Sequence, residues 1–130
     1  MKAVSIRQPW GFAILHLGKD IENRTWNTRI RGRVLIHVGK QRDLRHNLLI
    51  RNDPRFDNFH YDSKETSELA KRGGIIGSVE IIDCFHSSDP KVKDNVWNDR
   101  AGYCWLLANP IALPFRELKG QQMFFEVPDE

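Results

Sequence analysis

The sequence is poor in the residues that mark secreted and metal-binding proteins. It has two cysteines in 130 residues, Cys84 and Cys104, and neither belongs to a CxxC pair. Both lie in apolar, strand-like segments, so reduced thiols in or near the core are favoured over a disulfide. Two cysteines cannot complete a four-ligand zinc site, and the five histidines show no paired metal spacing. We therefore expect no cofactor.

Long apolar runs are also missing. No stretch approaches the ~20 residues that cross a bilayer, and the start, MKAVSIRQPW, lacks the apolar core of a signal peptide. A hydrophobic fraction of 40% suits one packed domain, which we predict to span residues 1–130. We expect a cytoplasmic protein without membrane contact, either a monomer or a weak homodimer.

Positive charge is concentrated in one part of the chain. The net charge is +3, but residues 19–55 hold ten Lys and Arg against four Asp and Glu, so this segment carries +6 and the rest carries −3. Such polarity attracts phosphate groups, although charge runs are also common on solvated faces. A nucleic acid is therefore the leading candidate partner.

Hydrophobic spacing predicts about six short strands and two or three helices. The strands are expected near 2–6, 19–26, 33–38, 75–85, 103–108 and 123–127, and the helices near 10–17, 41–52 and 64–71. The second and third strands are predicted to pair as antiparallel neighbours. No βαβ rhythm appears, so the pattern favours an α+β fold, a small mixed or antiparallel β-barrel flanked by helices.

Three local features give further structural predictions. Gly77 inside a strongly apolar strand predicts a bulge or a close backbone approach. Pro110 and Pro114 are predicted to bracket a turn. In the helix at 41–52, Leu44, Leu48 and Leu49 are predicted to face the core.

Residues suited to binding a nucleic acid are dense in the first forty positions. Polar side chains lie where the first strand meets a helix start, and such a junction favours anions. Basic side chains on the following strands can neutralise phosphates, and aromatic rings can stack on unpaired bases. The candidate nucleic-acid-binding residues are Ser5, Arg7, Gln8, Trp10, Arg24, Trp26, Arg31, Lys40 and Tyr61.

Three residues are candidates for catalysis. Ribonuclease action needs a base for the 2′-hydroxyl and a cation for the developing charge on phosphorus. Lys19 and Glu22 supply a cation and a carboxylate, and His37 supplies an imidazole, a common proton acceptor. For ribonuclease action, a divalent cation is left open as a cofactor.

Each candidate also has a purely structural interpretation. Glu22 could form an ion pair with Lys19 or with Arg24 on the same strand face. His37 could be an interior histidine with satisfied hydrogen bonds, and Gln8 could cap the helix. Tryptophans are more often core residues than base platforms.

Residues 5–40, SIRQPWGFAILHLGKDIENRTWNTRIRGRVLIHVGK, closely resemble the signature of the ASCH domain, a member of the PUA-like superfamily. The later segments GGIIGSVEIIDC, GYCWLLANPIALP and KGQQMFFEV follow the same family order, so the resemblance covers nearly the whole chain. It implies a β-barrel with a cleft lined by the first block. It also implies binding of single-stranded RNA, with DNA as a further partner, because ASCH domains are associated with RNA and some are ribonucleases.

The resemblance extends to a smaller relative, an amidohydrolase acting on N4-acetylcytidine, which works with a lysine, a threonine and a glutamate. Its lysine corresponds to Lys19, but the position of its threonine is occupied by Glu22, so the nucleophile of that enzyme is missing here. Four interpretations remain: an RNA-binding module, a ribonuclease on single-stranded RNA, a small-molecule hydrolase or modified-nucleoside binder, and a non-catalytic regulatory module.

Overall fold

The computed structural model describes residues 1–129, which form an α+β fold on one six-stranded mixed sheet. The strands are β1 (Lys2–Ile6), β2 (Ile21–Arg24), β3 (Gly32–Val38), β4 (Gly74–His86), β5 (Tyr103–Glu117) and β6 (Phe124–Glu126). The helices are α1 (Trp10–His16), α2 (His46–Asn52) and α3 (Ser63–Ala70), and a 3₁₀ turn spans Pro54–Phe56. The predicted α+β class, six strands and three helices are confirmed.

The strand order of the sheet is β2-β5-β4-β3-β1-β6. β1 and β3 are parallel, and every other neighbouring pair is antiparallel. The predicted pairing of the second and third strands is wrong, because β2 pairs with β5 while β3 lies between β4 and β1. The connection 25–31 is longer than a tight hairpin turn, and it carries the chain across the sheet.

The sheet curls but does not close in the described part of the chain, so the predicted barrel is not confirmed. β2 and β6 are its two edges. The curl brings Trp105 of β5 into a stacked contact with Phe124 of β6, with ring centroids 5.2 Å apart. Near one end of the gap, Arg24 of β2 donates a hydrogen bond from Nη2 to the carbonyl oxygen of Ser5 on β1, at 2.6 Å. A side chain, rather than a strand ladder, spans the opening there.

The ladder between β4 and β5 is long and interrupted by bulges. A Cβ atom added to Gly77 would lie 2.6 Å from the carbonyl oxygen of Ile111, which confirms the predicted irregularity and close approach. β5 continues through Pro110 and Pro114, so the predicted turn between them is wrong. Both prolines lie at shifts of register, where ladder hydrogen bonds are absent and proline is tolerated.

The buried hydrophobic residues form one large cluster inside the curled sheet, a second beneath α1, α2 and the 3₁₀ turn, and a small third one of Ala3, Ile75, Phe125 and Val127. In α2, Leu49 is buried as predicted, but Leu44 is 100% exposed and Leu48 is 62% exposed. Their predicted inward orientation is wrong, because α2 begins only at His46 and buries a different face. Cys104 is buried and Cys84 partly buried, both as free thiols, in agreement with the predicted location in or near the core.

Among the described residues, no helix has both the length and the apolar character needed to cross a membrane.

Candidate functional site

A cavity of about 580 Å³ opens where β1 ends, α1 begins and β2 runs alongside. We call it the main cavity because it gathers the most predicted site residues, although a hollow lined by His37, Lys40 and Arg72 is larger, at about 770 Å³. Its lining holds five Lys and Arg side chains against two carboxylates, but Arg45 and Arg55 are ion-paired with Asp43 and Asp53 outside the lining, so the net charge around the cavity is about +1. The lining residues are Ser5, Ile6, Arg7, Trp10, Lys19, Glu22, Asn23, Arg24, Arg45, Arg55, Trp97, Asn98 and Asp99.

The start of α1 is organised by Gln8, whose side chain is fully buried and does not reach the main cavity. Its Oε1 accepts a hydrogen bond from the backbone N–H of Phe12 at 2.8 Å. This contact satisfies one of the free N–H groups of the helix start. The structure therefore gives Gln8 the geometry of a helix cap. The positive charge of the main cavity comes from the lysine and arginine side chains that line it.

A buried carboxylate held by two cations lies at one wall of the main cavity. Lys19 is 4% exposed and Glu22 is 7% exposed. Lys19 Nζ lies 3.4 Å from Glu22 Oε1 and also donates to the carbonyl oxygen of Ile21. Arg24 Nε donates to Glu22 Oε2 at 2.8 Å. Each carboxylate oxygen thus accepts one hydrogen bond, and the three side chains together carry one net positive charge.

Burial changes the proton affinity of Lys19. Loss of water around the amine lowers the pKa of Lys19, and the nearby Glu22 carboxylate offsets part of that effect. A lysine in this environment gives up its proton more readily than a surface lysine.

Arg24 is supported from beneath by two indole rings. Its Cζ lies 5.4 Å from the ring centroid of Trp26 and 5.5 Å from that of the fully buried Trp105. Trp26 itself lines a neighbouring recess of about 200 Å³ instead of the main cavity. The structure gives Trp26 contacts that position a guanidinium group through cation–π attraction.

Asp43 connects two lining residues from outside the main cavity. Its Oδ2 accepts from Trp10 Nε1 at 3.1 Å and from Arg45 Nη2 at 3.1 Å, and its Oδ1 accepts from Arg45 Nε at 3.2 Å. The hydrogen bonds from Arg45, with a smaller contribution from Trp10, lower the pKa of Asp43 to about 2. The carboxylate therefore stays ionised at neutral pH and holds both side chains in place.

The far wall of the main cavity is formed by residues that the sequence analysis does not predict as site residues. Arg55 lies over the rings of Trp10 and Trp97, at 5.6 Å and 5.0 Å from their centroids. Asn23 of β2 donates to the carbonyl oxygen of Trp97 at 2.8 Å and accepts from the N–H of Asp99 at 3.1 Å. Arg45 and Arg55 belong to the basic segment, but no local pattern marks residues 97–99 as part of a site.

His37 is 2% exposed and lies outside the main cavity, but it lines a neighbouring hollow of about 770 Å³, and Ser5 lines both. His37 Nε2 is 2.6 Å from the carbonyl oxygen of Leu118. Because a carbonyl only accepts, Nε2 carries the proton, and in the neutral ring Nδ1 accepts from Ser5 Oγ at 3.0 Å. This is the arrangement of an interior histidine with satisfied hydrogen bonds.

Three further predicted residues lie outside the main cavity. Arg31 pairs with Asp83 at 3.4 Å. Tyr61 is 70% exposed, and its ring meets the edge of Phe59 with centroids 4.8 Å apart. Lys40 lines a separate depression that borders the main cavity.

The structure therefore brings together half of the twelve predicted site residues. Those that line the main cavity are Ser5, Arg7, Trp10, Lys19, Glu22 and Arg24. Those placed elsewhere are Gln8, Trp26, Arg31, His37, Lys40 and Tyr61.

Comparison with known proteins gives one positive result. The model of a protein family described as ASCH domain matches residues 4–115, a range that contains every residue lining the main cavity. No curated protein matches the sequence. Over the described residues, no group of three or more His, Cys, Asp and Glu side chains is placed to hold a metal ion.

Proposed function

Because the chain belongs to the ASCH domain family, we propose that it binds single-stranded RNA and that its main cavity holds one unpaired nucleotide. The observation that carries the proposal is the composition of this cavity, in which five cations, two of them ion-paired with carboxylates outside the lining, and two tryptophans surround about 580 Å³. Cavities of roughly 300–1,000 Å³ suit ligands of nucleotide size. Membership of the family and the α+β fold support a nucleic-acid-binding module of the PUA-like kind.

The lining residues divide into phosphate contacts and base contacts. Arg7 is exposed at the rim, and its side chain makes no hydrogen bond or ion pair with any described residue, so its guanidinium can bind a phosphate without breaking an existing contact. Lys19 and Arg24 add the positive charge that Glu22 leaves uncompensated. The ring of Trp10 is partly buried, with Lys19 Nζ and Arg55 Cζ each 5.6 Å from its centroid, and the base stacks against this cluster of cations and aromatic ring, a contact worth ~1–3 kcal/mol per base.

Arg7→Ala tests this proposal without disturbing the fold. In fluorescence anisotropy titrations with single-stranded RNA, we expect the variant to bind roughly tenfold more weakly, since a hydrogen bond to a charged group contributes about 1.5–3 kcal/mol. Arg29→Ala is the matched control, because Arg29 is also exposed, has no described side-chain partner and lies outside the main cavity. Equal affinities for the wild type and both variants would overturn the proposal.

Cleavage of the bound RNA is a second candidate function, favoured by the environment of Lys19. Lys19 donates hydrogen bonds to Glu22 and to the carbonyl oxygen of Ile21, so it enters the reaction as a cation beside the carboxylate that takes the proton of a 2′-hydroxyl. Arg24 is placed to stabilise the negative charge that then develops on the phosphate. Glu22 accepts one hydrogen bond on each oxygen and keeps lone pairs for proton abstraction, so the carboxylate is the base and Lys19 and Arg24 are the cations.

Gel analysis of labelled single-stranded RNA separates cleavage from binding alone. We expect cleavage products with the wild type and with Arg29→Ala, and none with Lys19→Met purified by the same procedure. Products of equal yield from Lys19→Met would assign the cleavage to a contaminating nuclease and remove the catalytic role of Lys19.

A further inference from the structure

The surface next to the main cavity carries a row of cations that the binding of one nucleotide does not use. Ser5, Ile6 and Arg7 line both the main cavity and a depression of about 300 Å³ that also contains Lys40. Lys40 in turn lines a further depression of about 500 Å³ with Arg42 and Arg72. We call Lys40, Arg42 and Arg72 the basic row. Shared lining residues connect it to the main cavity at Arg7.

The members of the basic row are not paired with carboxylates. The side chains of Lys40 and Arg42 make no hydrogen bond or ion pair with any described residue, and both are exposed. Arg72 donates only to the backbone carbonyl oxygens of Leu69 and Lys71, each at 2.9 Å. No Asp or Glu is among the residues described as lining either depression. The exposed Glu117 adjoins Lys40 and Arg72 in a neighbouring hollow, without an ion pair to either.

Holding these cations together has an electrostatic cost. Arg72 is half-buried, and loss of water together with the charge of Arg42 lowers the pKa of Arg72. His46 lines the same depression, 5% exposed, and its Nε2 has no hydrogen-bond partner in the described structure. Burial also lowers the pKa of His46, which disfavours a charged ring at this position. A bound anion would offset the repulsion between the two arginines.

We propose that the basic row binds backbone phosphates of the RNA strand as that strand leaves the main cavity past Arg7. This inference rests on the proposed function. It predicts the path of the strand across the surface, from Arg7 towards Arg72. A strand fits better than a single free anion, because the cations follow one another along connected depressions and do not converge in one closed pocket. The basic row then strengthens the binding only of an RNA that is long enough to extend beyond the main cavity.

The test compares mixed-sequence single-stranded RNAs of about three and about twelve nucleotides, lengths below and within the usual site sizes of single-strand binders. The variant is Lys40→Ala/Arg42→Ala, in which both residues are exposed and unpartnered, so the fold should be retained. The control is Arg29→Ala/Lys93→Ala, which removes the same formal charge from exposed positions outside these depressions. Thermal melting establishes that all proteins are folded.

We expect the Lys40→Ala/Arg42→Ala variant to bind the longer RNA at least roughly tenfold more weakly, and the shorter RNA as the wild type does. The control should bind both RNAs normally. If the variant binds the longer RNA normally, or loses the same affinity for both lengths, the basic row does not bind the outgoing strand. Weaker binding by Arg7→Ala would still support the proposed role of the main cavity. If the wild type binds neither RNA, the proposed function fails and the inference fails with it.

Discussion

At the scale of single residues, Lys19 shows how structural and functional interpretations of a buried charge can be separated. Its amine shares the Glu22 carboxylate with Arg24, which is 2.8 Å from the other carboxylate oxygen. Removing Lys19 therefore leaves Glu22 with a hydrogen-bonded cation. Buried ion pairs add little net stability, because the desolvation of both charges offsets their attraction.

For Lys19→Met we expect the free energy of unfolding to fall by less than the roughly 3–5 kcal/mol that leaving a buried charge unpaired costs, because Arg24 stays bonded to Glu22. The affinity for single-stranded RNA should nevertheless fall by roughly tenfold, because the main cavity loses the charge that Glu22 leaves uncompensated. Urea denaturation and anisotropy titration measure the two quantities. A loss of stability above about 3 kcal/mol, with unchanged affinity of the folded fraction, would make Lys19 a structural residue only.

At the scale of secondary-structure elements, β2 is held in place by its contact with the chain just before β5. A Cβ atom added to Gly102 would lie 2.6 Å from the carbonyl oxygen of Arg24 and 3.1 Å from the Cα of Thr25. These are backbone atoms that cannot move aside as a flexible side chain can. The close packing at Gly102 therefore sets the position of Arg24 in the main cavity.

Gly102→Ala should destabilise the protein by about 1–3 kcal/mol, the usual cost of forcing extra atoms into a packed site. It should also weaken RNA binding, because β2 must shift to accommodate the methyl group. Gly39→Ala is the matched control for stability, since an added Cβ there has no neighbour within 4 Å. Thermal unfolding and RNA titration provide the readouts, and a Gly102→Ala protein as stable as Gly39→Ala would contradict the close packing.

The elements that could be predicted from the sequence are those defined by local patterns. β1, α1 and β2 follow one another, and alternation along β2 places Glu22 and Arg24 on one face, so half of the site is predictable. The pairing of β2 with β5 and the contact of Asn23 with Trp97, 74 residues away, depend on the curl of the sheet. No local sequence pattern encodes that curl. The sequence therefore does not predict that residues 97–99 line the main cavity or that the sheet stays open.

At the scale of the whole molecule, the fold divides the basic segment into paired and unpaired cations. Arg31 pairs with Asp83 and Arg33 with Glu80, so part of the positive charge counted in the sequence is neutralised on other surfaces. Lys40 and Arg42 of this segment have no such partner among the described residues, and neither has Arg7, which precedes the segment. The proposed RNA path follows these unpaired cations, and a count of charges along the sequence cannot identify them.

The salt dependence of RNA binding tests the central claim most directly, because it counts the phosphates that the protein contacts. For single strands, the logarithm of the binding constant falls with the logarithm of salt concentration by about 0.7 per neutralised phosphate. We expect a linear fall for the wild type and for Arg29→Ala, and a slope shallower by about 0.7 for Arg7→Ala. An affinity that stays constant from low to moderate salt, or a slope that Arg7→Ala leaves unchanged, would contradict phosphate binding at the main cavity.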